Sequence, residues 1–195
     1  MRAVTAFLDT CVLYGAVLND TLLRLAEQGA FRPHWSDDVL DELGRNLTAT
    51  AGLTAAMAKR RIDHMQQAFP DACLTGYADF VDGLTCDPKD RHVLAAAVVG
   101  SCEVLVTFNT KDFPPHSTAD LITVVHPQDF LLDQLDLHPV LVVAALAAQA
   151  NSYRRPAISQ MQLWERLRRA GVGAFVDEVS RQMGDGLRLA ESPER

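Results

Sequence analysis

Five carboxylates stand where they could act together: Asp9 in "FLDTCVL", Glu42 in "SDDVLDELGRNL", Asp87 and Asp90 in "DPKDRHVLAAAV", and Asp112 in "VLVTFNTKDFP". Carboxylate oxygens are the ligands Mg²⁺ and Mn²⁺ prefer, and these ions usually keep water and substrate phosphates in their remaining positions. Crowded carboxylates repel each other, and a divalent cation removes that cost. One or two such ions lower the pKa of a bound water and stabilise charge during in-line displacement at phosphorus. A set of acids with no nucleophilic Ser or Cys therefore suits metal-dependent hydrolysis of a phosphodiester.

Each acid also has a plainer explanation. Asp9 directly follows a buried-type apolar run, where it must be paired, solvated or metal-bound, although Asp is also a common helix cap. In the helix that follows Ser36, the residues Val39, Leu40, Leu43 and Leu47 make one apolar stripe. Asp41 falls opposite that stripe at ~100° per residue, whereas Glu42 falls on its margin. Asp37, Asp38 and Asp41 therefore read as a solvated face, and Glu42 is balanced between that face and a cleft. "DPKD" fits a helix start with Asp87 at the N-cap, Pro88 at the first helical position and Asp90 two residues further on. Asp87 reads mainly as that cap. Asp90 shares a face with Val93, Leu94, Ala97 and Val98, which favours a site. Asp112 lies in a turn rich in Asn, Thr and Asp, whose local hydrogen bonding explains them without function. It would nonetheless emerge at the same sheet edge as Asp9.

The elements that must position these residues alternate. "AVTAFL" reads as a two-sided apolar strand, as in a parallel sheet, followed by a helix through "NDTLLRLAEQG" that Gly29 closes. A strand "FRPHW" precedes the helix capped by Ser36, and "TAAMAKRRIDHMQQAF" is a helix capped by Thr54. "DPKDRHVLAAAVVG" is a fourth helix, and "EVLVTF" and "LITVVH" are strands. This alternation gives an α/β fold with a short, mainly parallel β-sheet between helices. From about Pro127 only helical signals remain, so residues 1–127 are expected to form the catalytic domain and 128–195 an all-helical C-terminal extension.

At 195 residues, with 48% hydrophobic and 22% charged residues, the chain has ample material for a core. Its net charge of −7 argues against a protein that coats nucleic acid unspecifically. Residues 1–138 carry 10 Lys and Arg against 19 Asp and Glu, while residues 139–195 carry 8 against 6. This suggests an acidic catalytic body with a weakly basic appendage. Asp9 comes too early for a secretory apolar core, and no apolar run reaches the ~20 residues a bilayer requires. The four cysteines lack zinc spacing and are expected to be reduced thiols in a cytoplasmic protein, with Cys11 a small filler.

Taken in order, the four quoted segments resemble the PIN-domain nucleases, and among them the VapC toxins of bacterial type II toxin–antitoxin systems. The resemblance covers roughly residues 3–127. It implies a PIN-like fold whose acids meet above the strand ends, with Asp9, Glu42, Asp90 and Asp112 as catalytic residues. Asp9, Asp90 and Asp112 would bind the metal, and Glu42 would help hold the ion or position the attacking water. Asn109 matches the polar residue of the family's "N-x-x-D-F" turn, and Asp87 an extra acid of some branches. The implied activity is Mg²⁺- or Mn²⁺-dependent endoribonuclease action on RNA, inhibited by a cognate antitoxin protein, with no membrane association. The helical extension lies outside the resemblance. It could bind the antitoxin, shape the RNA groove or extend a homodimer interface.

Arg45, Lys59, Arg60, Arg61, Arg91, Lys111, Arg154 and Arg155 could meet RNA phosphates, although most fit a solvated helix face. Arg91 and Lys111 are favoured because each adjoins a proposed site acid. His92 reads as structural, and Trp35 and Trp164 as core or interface. Two rival classes remain: a non-catalytic binding module whose acids are caps, and an Asp-nucleophile phosphatase. The phosphatase wants a second Asp where Cys11 stands.

Overall fold

The run Val4–Leu8 is apolar on both faces and forms the central strand (β1) of a five-stranded sheet. Its companions are β2 (Phe31–Ser36), β3 (Cys73–Leu74), β4 (Val104–Val106) and β5 (Thr123–Val125), in the order β3-β2-β1-β4-β5. All four strand pairings are parallel. The computed structural model describes residues 3–118, 121–154 and 156–190. The chain divides into two compact units, Met1–Pro127 and Gln128–Arg195.

Pro33 is tolerated inside β2 because of register. It faces the same side as Trp35, whose N–H is donated to the Ala72 carbonyl at 3.1 Å, and β3 pairs only from Trp35 onward. The N–H that proline lacks would have had no strand to meet. Phe7, Leu8, Phe31 and Trp35 are fully buried, with Trp35 meeting Phe69 edge-to-face at 6.1 Å. Each such side chain stabilises the fold by about 1.5–3 kcal/mol through burial.

The first unit's helices are α1 (Thr10–Tyr14), α2 (Ala16–Glu27), α3 (Asp37–Ala49), α4 (Ala55–Ala68), α5 (Arg91–Val99) and the single turn α6 (Pro115–Thr118). Ser36 and Thr54 accept hydrogen bonds from the Val39 and Met57 amides, so both expected caps form. Three details differ from the sequence reading. The first helix is broken at Gly15, whose extended backbone separates α1 from α2. Arg61 donates to the Tyr14 and Leu13 carbonyls at 3.1 and 2.5 Å, so it closes the end of α1 instead of facing solvent. The "DPKD" segment is a turn, and α5 begins only at Arg91. Strand β3 and a 3₁₀ helix at Ala78–Gly83 carried no clear pattern in the sequence.

The second unit is helical: α7 (Pro127–Leu137), α8 (Pro139–Ser152), α9 (Gln160–Arg169) and α10 (Gly173–Ala190). A capping box between Ser159 and Gln162 opens α9. Gly171, with φ +86°, makes the left-handed turn between α9 and α10. Leu163, Leu167, Phe175, Val176 and Val179 are buried. Arg166 stacks over Tyr153 at 6.0 Å, and Trp164 is half-buried. Arg155 lies outside the described residues. Among the described residues, no single helix is long and apolar enough to cross a membrane.

Candidate active site

From β1 the chain proceeds outward to β2 and β3 on one side, then returns to β4 and β5 on the other. Between β1 and β4 the two directions part, and parallel sheets bind ligands at the carboxyl ends of strands at such a point. Asp9 follows β1 there, and the turn bearing Asn109 and Asp112 follows β4. A cleft of about 710 Å³ opens in this unit, lined by Asp38, Glu42 and Arg45 of α3, by Lys89, Asp90 and His92, and by Asn109 and Asp112.

Asp9 is 5% exposed. Its backbone N–H extends the β1–β4 ladder by donating to the Val106 carbonyl at 3.1 Å. Its Oδ2 accepts from the Thr107 hydroxyl at 2.6 Å and from the Cys11 thiol at 3.1 Å. Burial raises the pKa of Asp9, these hydrogen bonds oppose the rise, and the nearby charge of Glu42 adds to it. Burial also pushes the Cys11 thiol up to about 12, so it is a neutral donor at physiological pH. The Thr107 hydroxyl, fully buried, accepts the Asn109 amide at 3.0 Å while donating to Asp9. One hydroxyl thus joins the first-strand acid to the turn that carries Asn109 and Asp112. The Cys11 sulfur further accepts the Phe108 amide at 3.3 Å.

The apolar stripe of α3 is buried, Asp41 is exposed and Glu42 is half-buried. Glu42 Oε2 accepts the Thr10 hydroxyl at 2.8 Å, and the residue lines the cleft. Asp37 and Asp38 are exposed as the helix period predicts, but Asp38 also lines the cleft and accepts the Tyr77 hydroxyl at 2.8 Å.

Among the described residues, Asp87, Asp90 and Asp112 form the group of carboxylates that could share one ion: each offers an oxygen within 4.8 Å of the others. Asp87 does not cap α5. Its Oδ1 accepts the Lys89 amide at 3.0 Å inside the turn, and Asp90 takes the N-cap position without a side-chain cap bond. The Asp87 amide also donates to the Asp112 carbonyl at 3.2 Å, fastening the two acid-bearing loops together. Asp9 stands outside this group of three, yet its charge is felt by Asp90. Burial, then Asp9, Asp112 and Asp87, raise the Asp90 carboxyl to about 6. Three hard oxygen donors under mutual repulsion fit a divalent cation such as Mg²⁺ or Mn²⁺.

Sequence reasoning overlooked the residues that orient these acids: Thr10, Cys11 and Thr107. Their signal was adjacency to Asp9 and to the Asn109 turn, but their bonds depend on β1 and β4 lying side by side. Of the cations expected near RNA, Arg91 and Lys111 are outside the cleft lining, and Arg91 Nε is buried without a partner. Arg45, Lys89 and His92 line the cleft instead. All four cysteines are free thiols, as the sequence suggested.

Residues 5–111 match the PIN domain family, and residues 127–181 match a family described as the VapC50 C-terminal domain. A stretch of 93 residues is 41% identical to a protein of Mycobacterium tuberculosis described as "Putative ribonuclease VapC50". It covers 47% of this chain and 55% of that relative, so the match spans about half the relative's length.

Proposed function

The chain belongs to the PIN-domain family, and on that premise we propose that it is a divalent-cation-dependent endoribonuclease. We read it as the toxin of a type II toxin–antitoxin pair, acting on RNA in the cytoplasm and inhibited by a cognate antitoxin protein. The relative described as a ribonuclease supports the substrate class. The observation that carries the reading is the convergence of Asp87, Asp90 and Asp112 at the carboxyl end of the sheet. In this proposal residues 1–127 are the catalytic domain and 128–195 a helical extension.

Asp90 and Asp112 are assigned as metal ligands with Asp87 beside them, and Asp9, expected from the sequence as a further ligand, is the buried acid next to this group. Mg²⁺ or Mn²⁺ held there would lower the pKa of a bound water and offset negative charge at the scissile phosphorus. Asp9, held by the Thr107 hydroxyl and the Cys11 thiol on its Oδ2, keeps a fixed orientation next to the strand ends. Glu42, held by Thr10 and lining the cleft, accepts a proton from the attacking water. Asn109 steadies the turn through the hydrogen bond its backbone N–H donates to the Thr107 hydroxyl. Attack by water breaks the P–O3′ bond, so the fragments should carry a 5′-phosphate and a 3′-hydroxyl. End-group analysis of the cleaved RNA tests this. A 2′,3′-cyclic phosphate would mean that the ribose hydroxyl attacks, and the assigned roles would fall.

A further inference from the structure

An RNA strand entering the cleft must approach Glu42, Asp87, Asp90 and Asp112, whose charges repel its phosphates. The cleft is also lined by Arg45 on α3, by Lys89 in the turn before α5 and by His92 in the first turn of α5. Arg45 is exposed and sits one turn after Glu42, a spacing at which ion pairs readily form. It does not pair with Glu42, whose Oε2 is taken by Thr10, and its guanidinium has no ion pair or hydrogen bond among the described residues. Among the described residues, the Lys89 ammonium makes only a 3.9 Å contact, with Asp87. A permanently charged, bidentate guanidinium left unpaired beside acids is suited to an anion arriving from outside. We propose that Arg45, supported by Lys89 and His92, is a substrate-positioning residue that grips the RNA phosphates flanking the scissile one. This rests on the nuclease reading and adds to it the residues that hold the strand.

The test compares the 195-residue wild type with Arg45→Ala, Arg45→Lys and, as a control, Arg60→Ala on α4, outside the cleft lining. Binding of a fluorescently labelled RNA oligonucleotide is measured by anisotropy in EDTA, so that it does not depend on cleavage. Single-turnover cleavage is measured in Mn²⁺, and Mn²⁺-induced thermal stabilisation is followed separately. Arg45→Ala should weaken RNA binding about tenfold and lower the log–log salt slope by about 0.7, the loss of one single-strand phosphate contact. The cleavage half-saturation concentration should rise similarly, with the maximal rate within about twofold and the Mn²⁺ stabilisation unchanged, because the acids are intact. Arg45→Lys should recover part of the binding, and Arg60→Ala should match wild type. Unchanged RNA affinity and salt slope in Arg45→Ala would overturn the proposal, as would loss of the Mn²⁺ stabilisation. If wild type binds RNA through Arg45 but cleaves none, the nuclease reading fails and the positioning role with it, while the Arg45 contact to RNA phosphate stands.

Discussion

Thr107 has the most concentrated role of any single residue at the site. Its hydroxyl is both donor to Asp9 and acceptor for Asn109, inside a fully buried position. Thr107→Val keeps the shape and leaves a buried carboxylate and a backbone amide short of partners, at a cost of about 1–3 kcal/mol each if unrelieved. We expect a lower urea midpoint and slower RNA cleavage; an unchanged midpoint would show that water replaces the hydroxyl. Asp90 makes a pH prediction. Its carboxyl is raised from 3.8 to about 6, so the folded chain holds this proton more tightly than the unfolded one. In the metal-free protein, Asp90 therefore lowers stability as pH rises from about 4 to 6. A cation competes with the same proton. Thermal stabilisation by Mn²⁺ should be clear at pH 7.5 and much reduced at pH 5.5. Equal stabilisation at both values would remove Asp90 from the ligand set. At this scale, Asp9 stood out because it directly follows an apolar run, and Glu42 because it falls on the margin of the α3 stripe. Their Thr and Cys partners did not, since hydroxyls and thiols serve many local purposes.

Elements set how accurately those side chains are delivered. Ser36 is fully buried and caps α3, the helix that carries Glu42 and Arg45. Ser36→Ala should cost about 1 kcal/mol by chemical denaturation. It should also slow cleavage more than its stability loss explains, because the first turn of α3 lies directly before Glu42. Identical activity per folded molecule would show that the stripe of Val39, Leu43 and Leu47 positions Glu42 unaided. The stripe, the caps Ser36 and Thr54 and the apolar strands could all be read from periodicity and residue chemistry. The start of α5 could not. Asp87 and Pro88 form a proper helix-start pattern, but the Asp87 side chain is committed to Lys89 and its amide to the Asp112 loop. A tertiary tie between two loops outcompeted the local capping signal. The same holds for α1, whose break at Gly15 is completed by Arg61 from distant α4.

Across the whole molecule, fold class was the most legible property, because strand and helix signals alternate cleanly and then give way to helices alone. Convergence of the acids at one sheet edge was expected, but Asp87 as a member of the closest group was not, since it depends on the tie between the Asp87 and Asp112 loops. That convergence has a stability consequence. Removing one charge from the crowded group, as in Asp90→Asn, should raise the melting temperature of the protein in EDTA and abolish its rise on adding Mn²⁺. Wild type should gain about 2.7 kcal/mol at a cation concentration one hundred times its dissociation constant. A lower melting temperature for Asp90→Asn in EDTA would mean that Asp90 is needed for packing and not crowded. The central claim, that this acidic cleft cuts RNA with a divalent cation, is tested most directly by incubating the purified protein alone with total RNA. Wild type and Asp112→Asn are compared in Mg²⁺, in Mn²⁺ and in EDTA. The claim predicts discrete cuts by wild type that disappear with the substitution and with the chelator. Cuts that survive both, or no cuts by folded wild-type protein, would contradict it.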